Sequence, residues 1–187
     1  MRSIPIPVAT AFFLVLIALS CQKTNKAGAS NAISGNYKFI NMNVHSQAIT
    51  SISGDSVVAF ANYITTANAG TIKFTTDSMM VNGLAYTVDT NSMAIYFVNG
   101  KPADTIYTPF NGSLPATSMN VGYTLVNSDS LYFPNGGIIP AGMGTMSQGS
   151  GATFVKIGDT LKMTTMARDT SNGEIQMGTA VITLLKQ

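Results

Sequence analysis

From Gly35 to the C-terminus the chain repeats one pattern, and that pattern leaves little choice of fold. Apolar and polar residues alternate with a period of two in short runs, and each run ends in turn formers. Tyr37 and Phe39, with Ile40, Met42 and Val44 on the opposite face, mark a first strand at about 36–45. Val57 to Ile64 is a second. Ile72 and Phe74 alternate with Thr71, Lys73 and Thr75. Leu84, Tyr86 and Val88 alternate with Ala85 and Thr87, and Met93, Ile95 and Phe97 follow. Runs at 106–110, 121–126, 131–133, 160–164 and 175–185 complete the series, with Gly178 read as a bulge in the last. Asn-Gly occurs at 82–83, 99–100, 111–112, 135–136 and 172–173. It is the favoured pair where both central turn residues need positive φ, so five copies predict consecutive hairpins. No run after residue 34 carries a helical period. About ten strands are too many for one open, strongly twisted sheet, so the sheet must close or fold over itself.

Composition agrees and narrows function. The chain is 45% hydrophobic but only 10% charged, so it lacks the Glu, Lys and Arg that cover the solvent faces of helical bundles. Thr, Ser, Asn and Gly take their place, suiting sheets and turns. Net charge is +2, too small a basic surplus for a nucleic-acid surface. One His and one Cys exclude a disulfide within the chain and most His/Cys metal sites.

Residues 1–20 read as a secretory signal. Arg2 precedes an apolar run from Val8 to Leu19, too short to span a bilayer core of about 30 Å. The run ends in Ala18-Leu19-Ser20-Cys21, followed by polar residues. Small residues before the only cysteine resemble the lipobox of bacterial lipoproteins. That resemblance implies cleavage before Cys21 and acylation of its sulfur and new amino terminus. More than one acyl chain makes anchoring stable, at about 0.8 kcal/mol per buried CH₂. Losing Arg2 leaves nine Lys/Arg against eight acids, so acyl groups, not a basic patch, would hold the protein to lipid. The small, polar residues 22–34 form a flexible tether. The division is therefore 1–20 signal peptide, 21–34 lipidated cysteine and tether, and 35–187 β domain.

Within that domain Ile33-Ser34-Gly35-Asn36-Tyr37-Lys38-Phe39 opens the first strand. Gly70-Thr71-Ile72-Lys73-Phe74, Tyr86-Thr87-Val88-Asp89 and Gly158-Asp159-Thr160-Leu161-Lys162-Met163-Thr164 follow, before a final strand at the C-terminus. This order resembles the small lipocalin-like lipoproteins of the Bacteroidetes. The resemblance implies an all-β, antiparallel up-and-down barrel of about eight to ten strands; a β-sandwich is the alternative. In that group, surface-exported members often carry acids just after the cysteine. Lys23 and Lys26 stand there instead, which implies the periplasmic face of the outer membrane.

Catalytic chemistry is sparse. His45 falls in or just after the first strand and reads as a surface imidazole, not a general base. The acids sit at turns or strand starts, without a glycosidase-like pair. Five of them share an Asp-Ser/Thr-apolar pattern, ending at Ser56, Ser78, Thr105, Ser130 and Thr160 in its second position. The pattern resembles O-glycosylation acceptors of Bacteroidetes periplasmic proteins, and equally closes a turn and starts a strand. Methionines are abundant; Met143 and Met146 lie in the glycine-rich loop 134–151, but core or pocket lining is the default role for Met. The expectation is a non-enzymatic envelope protein, without cofactor or metal, binding a small apolar ligand inside the barrel. Its lining would come from Phe39, Phe60, Phe74, Tyr86, Phe97, Tyr123, Phe154, Met163 and Met177. The alternative is a glycan-binding or structural module using Tyr63, Tyr96, Tyr107 and Tyr132.

Overall fold

The computed structural model describes residues 33–137, 149–171 and 174–187. Ten strands are present: β1 Gly35–Ile52, β2 Asp55–Ile64, β3 Thr66–Phe74, β4 Ser78–Val98, β5 Lys101–Gly122, β6 Thr124–Asn127, β7 Ser130–Phe133, β8 Ser150–Ile157, β9 Thr160–Ser171 and β10 Glu174–Lys186. The expected signal, Cys21 and residues 22–32 of the expected tether lie outside the described residues, as do Met143, Met146 and the Asn-Gly pair at 172–173; Ile33, at the end of that tether, is buried in the core.

The strands close an antiparallel up-and-down barrel. β2 and β3 are two parts of one long strand, parted only at Thr65. There Met42 and Thr65 exchange hydrogen bonds: the Thr65 N–H donates to the Met42 carbonyl at 2.9 Å, and the Met42 N–H donates to Thr65 Oγ1 at 2.9 Å. β5 and β6 are likewise parted only at Tyr123; β5 pairs with β4 and β6 pairs with β7. Counting each of these as one leaves eight staves. Each pairs with its neighbours in sequence, and β10 returns to pair with β1 from Tyr37↔Lys186 to Thr50↔Glu174.

The walls are unequal. β1, β4 and β5 have 18, 21 and 22 residues, whereas β6 and β7 have four each and β8 has eight. The long strands therefore continue beyond the short side as a single sheet. The base of the barrel, where β1 begins and β10 ends, is filled. Tyr37, Phe39, Met42, Ile72, Phe74, Met79, Leu84, Leu131, Phe133, Leu161 and Met163 are each no more than 2% exposed. Ring contacts run through this core from Tyr37 to Phe74, Tyr123 and Phe133, with centroids 5.8, 6.2 and 6.0 Å apart. Such edge-on pairs add to the hydrophobic term.

The turns at the base are locked by their own carbonyls. Asp77, Asp129 and Asp159 each accept a backbone N–H from the next strand, from Tyr123 (2.8 Å), Phe154 (2.7 Å) and Lys186 (2.8 Å) respectively. The recurrent Asp-Ser/Thr-apolar motif thus builds three corners of the barrel floor.

Several sequence expectations need correction. Residues 84–88 and 93–97 belong to one strand, and Asn82-Gly83 and Asn111-Gly112 lie inside β4 and β5. Gly83, with φ of 59°, sits instead at a register shift between Val81 and Leu84. Of the described Asn-Gly pairs, only Asn99-Gly100 makes a two-residue hairpin, with both φ angles positive (50° and 74°). Ser53-Gly54 makes the equivalent turn at the β1–β2 tip without that signature. Gly178 is no bulge: β10 runs through it in register with both neighbours, and the irregularity in β1 falls between Phe39 and Asn41.

Candidate functional site

The inner face of the barrel changes character about halfway up. At the base, cross-strand rows hold large side chains, such as Leu161–Leu184–Phe39 and Met163–Ile182–Met42. The row Ala180–Val44–Tyr63 follows. The next two inner rows are small at their centres: Ala167–Gly178–Ser46–Ala61, then Ala48–Ala59–Ala94, flanked by Gln176 and Asp169 on one side and Ile106 on the other. Directly paired residues project to the same face, so each row is a continuous strip. Truncated side chains leave space that the strand spacing cannot close.

That space is a cleft of about 300 Å³, lined on the inner face by Ser46, Ala48, Ala59, Ala61, Ser92, Phe110 and Gln176, together with Gln47, Phe60 and Met177. Its floor is aromatic: Phe110 lies 5.9 Å, centroid to centroid, from the buried ring of Tyr63. Burial raises the Tyr63 hydroxyl well above its ordinary pKa, with the neighbouring Tyr86 adding to the shift, so both rings act as neutral surfaces. The Ser46 hydroxyl donates to the Ala61 carbonyl at 3.0 Å, which satisfies the one polar group buried in these rows.

The opposite face of the same strands carries a second, more open groove of about 470 Å³. His45, Gln47, Phe60, Asn62, Met166, Arg168, Met177 and Thr179 project into it from β1, β2, β9 and β10, with Ser46, Ala167 and Gly178 between them. His45 lies in mid-strand, and its Nδ1 is 3.1 Å from Asn62 Oδ1. A third groove of about 420 Å³ runs along β6–β9 past Tyr132 and Met166. Among the described residues, no three His, Cys, Asp or Glu side chains gather as metal ligands would.

The nine residues expected to line a ligand site are divided by the fold. Phe39, Phe74, Tyr86, Tyr123, Phe154 and Met163 all lie in the packed base. Tyr123 is fixed there, its hydroxyl donating to the Thr75 carbonyl at 2.6 Å. Burial, with the Asp77 charge adding, raises its pKa. Phe60 and Met177 border both the cleft and the open groove, and Phe97 stands half-buried on the outer face of β4. Of the possible platform tyrosines, Tyr63 is buried, while Tyr96, Tyr107 and Tyr132 are exposed. Of the five Asp-Ser/Thr sites, Ser56, Ser78, Ser130 and Thr160 are half-buried and Thr105 is exposed. Ser78 and Ser130 are also hydrogen-bonded, to Thr75 Oγ1 (2.7 Å) and Asp129 Oδ1 (2.9 Å).

Sequence reasoning passed over Ser46, Ala48, Ala59, Ala61 and Phe110. Their signal was present as small residues at alternate positions of two adjoining strands, but only the register shows that they face each other. No protein-family model matches this chain, and no curated protein or solved structure matches it either.

Proposed function

We propose that this is a lipid-anchored, non-enzymatic envelope protein of the lipocalin-like kind, which holds a small apolar molecule in the cleft above its packed base. The observation that carries the reading is the pair of small-residue rows at Ser46–Ala61 and Ala48–Ala59–Ala94, where the barrel leaves a cleft of about 300 Å³ over an aromatic floor. That volume falls at the lower end of small-molecule sites, which are largely apolar with a few polar groups to orient the ligand. Ser46, Ser92 and Gln176 supply such groups, and among the described residues no charged side chain lines the cleft. An anionic ligand needing an Arg clamp is therefore disfavoured.

The direction of the cleft supports anchoring through Cys21. The chain enters β1 at the base, where Gly35 pairs with Phe74 and the Gln187 N–H donates to the Asn36 carbonyl at 2.9 Å. A tether leaving there would join the chain to the membrane at its packed end and leave the cleft at the far end free. The periplasmic face of the outer membrane remains the proposed location. The absence of a catalytic constellation around His45, whose ring nitrogen meets an amide and not a carboxylate, fits a binding role.

The test is native mass spectrometry of the protein purified from the envelope, beside displacement of the neutral fluorophore N-phenyl-1-naphthylamine. Wild type should carry a species of a few hundred daltons or bind the probe. Ala59→Phe, which fills the cleft without touching the base, should abolish both and keep the circular dichroism spectrum. Equal binding by the filled variant, or none by wild type, overturns the reading.

A further inference from the structure

The open groove on the outer face contains a donor set unrelated to the cleft. Thr179, a short side chain on β10, has His45 directly opposite on β1 and Met166 directly opposite on β9. Met177 lies two residues along β10, on the same face, diagonal to both. Strands are about 4.8 Å apart, and diagonal neighbours are about 7–8 Å apart. An unbranched methionine, with three rotatable bonds, spans that interval readily. His45 and Met166 are exposed, Met177 is half-buried, and all three line the same groove.

The imidazole is oriented for ligation. Asn62 lies opposite His45 on the other side, and its Oδ1 is 3.1 Å from His45 Nδ1. An amide oxygen only accepts, so in this contact Nδ1 is the donor, and in the neutral ring Nε2 is then the nitrogen left to bind a metal. A hydrogen bond from the far ring nitrogen is the usual device that orients a metal-binding histidine.

We infer that this face binds one monovalent copper ion through Nε2 of His45 and the thioether sulfurs of Met166 and Met177. One imidazole with two thioethers is a soft donor set, which selects Cu(I) over hard cations. Among the described residues no carboxylate lines the groove, and Arg168 stands directly beside Met177. Calcium and magnesium favour clustered carboxylates, and zinc favours several thiolate, imidazole or carboxylate ligands of which this groove offers a single imidazole, so both classes are poorly served. A singly charged ion held by soft donors meets the least opposition from the Arg168 cation. Thr179, the short side chain between His45 and Met166, leaves room above the sheet for the three donors to be drawn together by the ion.

The experiment uses the full chain carrying Cys21→Ser, in detergent, so that no thiol competes for the metal. Anaerobic competition against bicinchoninate gives Cu(I) stoichiometry and affinity. Silver(I), a redox-inert probe of the same softness, is then titrated by NMR. His45 is the only histidine, so one imidazole spin system reports the site. The expected result is one Cu(I) per chain, with Ag(I) shifting the imidazole and the Met166 and Met177 methyl signals together. Asn62→Ala, which keeps every donor, should weaken binding about tenfold. Met166→Leu, at an exposed position that leaves the core intact, should weaken it at least as much. Failure to compete with bicinchoninate overturns the site. So does unchanged affinity in the triple variant His45→Gln, Met166→Leu, Met177→Leu, which would place the copper elsewhere. If that variant loses its circular dichroism spectrum, the wild-type Ag(I) shifts decide: movement of other methionines without the imidazole refutes the proposal.

Discussion

Gly70 is the position where the fold is least tolerant of one added carbon. Its φ is +108°, and a Cβ built there would stand 2.7 Å from the Leu84 Cα, 2.8 Å from the Gly83 carbonyl oxygen and 2.8 Å from the Leu84 nitrogen. All three obstacles are backbone, so no side-chain rotation relieves them. The glycine lies within the second register shift of β3 on β4, between Ala69 and Thr71, level with the shift of β4 on β5 that begins at Val81. These stacked irregularities bend the sheet where it must curl to close the base. Forcing an L-residue into such a conformation costs about 1–3 kcal/mol. Displacing packed backbone adds about 1–3 kcal/mol. Gly70→Ala should therefore lose roughly 2–6 kcal/mol, a large part of the roughly 5–15 kcal/mol that keeps a domain folded. Gly83→Ala is the matched control: φ is +59° and nothing lies within 4 Å of its Cβ. Its expected cost is only the left-handed penalty of about 1–2 kcal/mol. Equilibrium urea unfolding of both variants measures the difference. If Gly70→Ala is no worse than Gly83→Ala, the close crossing of β3 and β4, and the bend built on it, are wrong.

Tyr37 is fully buried and its hydroxyl has no hydrogen-bond partner among the described residues, so Tyr37→Phe should be neutral or stabilise by up to about 1 kcal/mol in urea unfolding. A loss above about 1 kcal/mol would contradict that. Tyr123→Phe removes the bond to the Thr75 carbonyl and should cost about 0.5–1.5 kcal/mol by the same assay; no loss would show that the bond contributes nothing. Burial raises the pKa of Tyr37, Tyr63 and Tyr123 in the folded state, so that state retains protons which the unfolded chain releases above about pH 10. The stability they supply is present below that pH and falls as pH rises through it. Part of the tyrosinate absorbance should thus appear only with unfolding, and a single phase completed in the native state would refute this. Cys21→Ala should abolish fatty-acid labelling and detergent partitioning; if both persist, the anchor is elsewhere.

The fold was legible because its signal is local. Alternation from Tyr37 to Phe39 and from Leu161 to Met163 places one side of each strand inward, and the structure buries those residues. What the sequence concealed was continuity. Residues 89–92 and 111–112 contain Asp, Asn, Ser and Gly, which read as breaks, yet β4 and β5 run straight through them. There the backbone bonds of a long neighbouring strand outweigh weak local propensity. The site was harder to read for a related reason. Large aromatics were chosen as lining because they are conspicuous, but Phe39, Phe74, Tyr86 and Tyr123 fill the barrel. The cleft is made by Ser46, Ala48, Ala59 and Ala61, whose meaning depends on being opposite one another. Pairing between β1 and β2 supplies that information, and composition does not.

The distribution of bulk along the barrel argues that its upper half is not simply unfinished core. A buried methylene contributes about 0.8 kcal/mol, so each Ala or Ser in a closed interior forgoes one to three such groups relative to Val or Leu. The base forgoes little, packing phenylalanine, tyrosine, methionine and leucine across every stave from β1 to β10. The loss is concentrated at the centre of two adjacent rows, Ala167–Gly178–Ser46–Ala61 and Ala48–Ala59–Ala94. The outer face at the same level keeps Phe60, Met93 and Met177, so the strands there are not generally poor in large side chains. Random drift towards small residues would thin both faces alike. Thinning confined to the inner face, directly above a packed floor, is what a requirement for space produces. The base supplies the burial that lets those rows remain small, and under the proposed function the volume they release is where an apolar guest would recover the contacts the chain itself does not make.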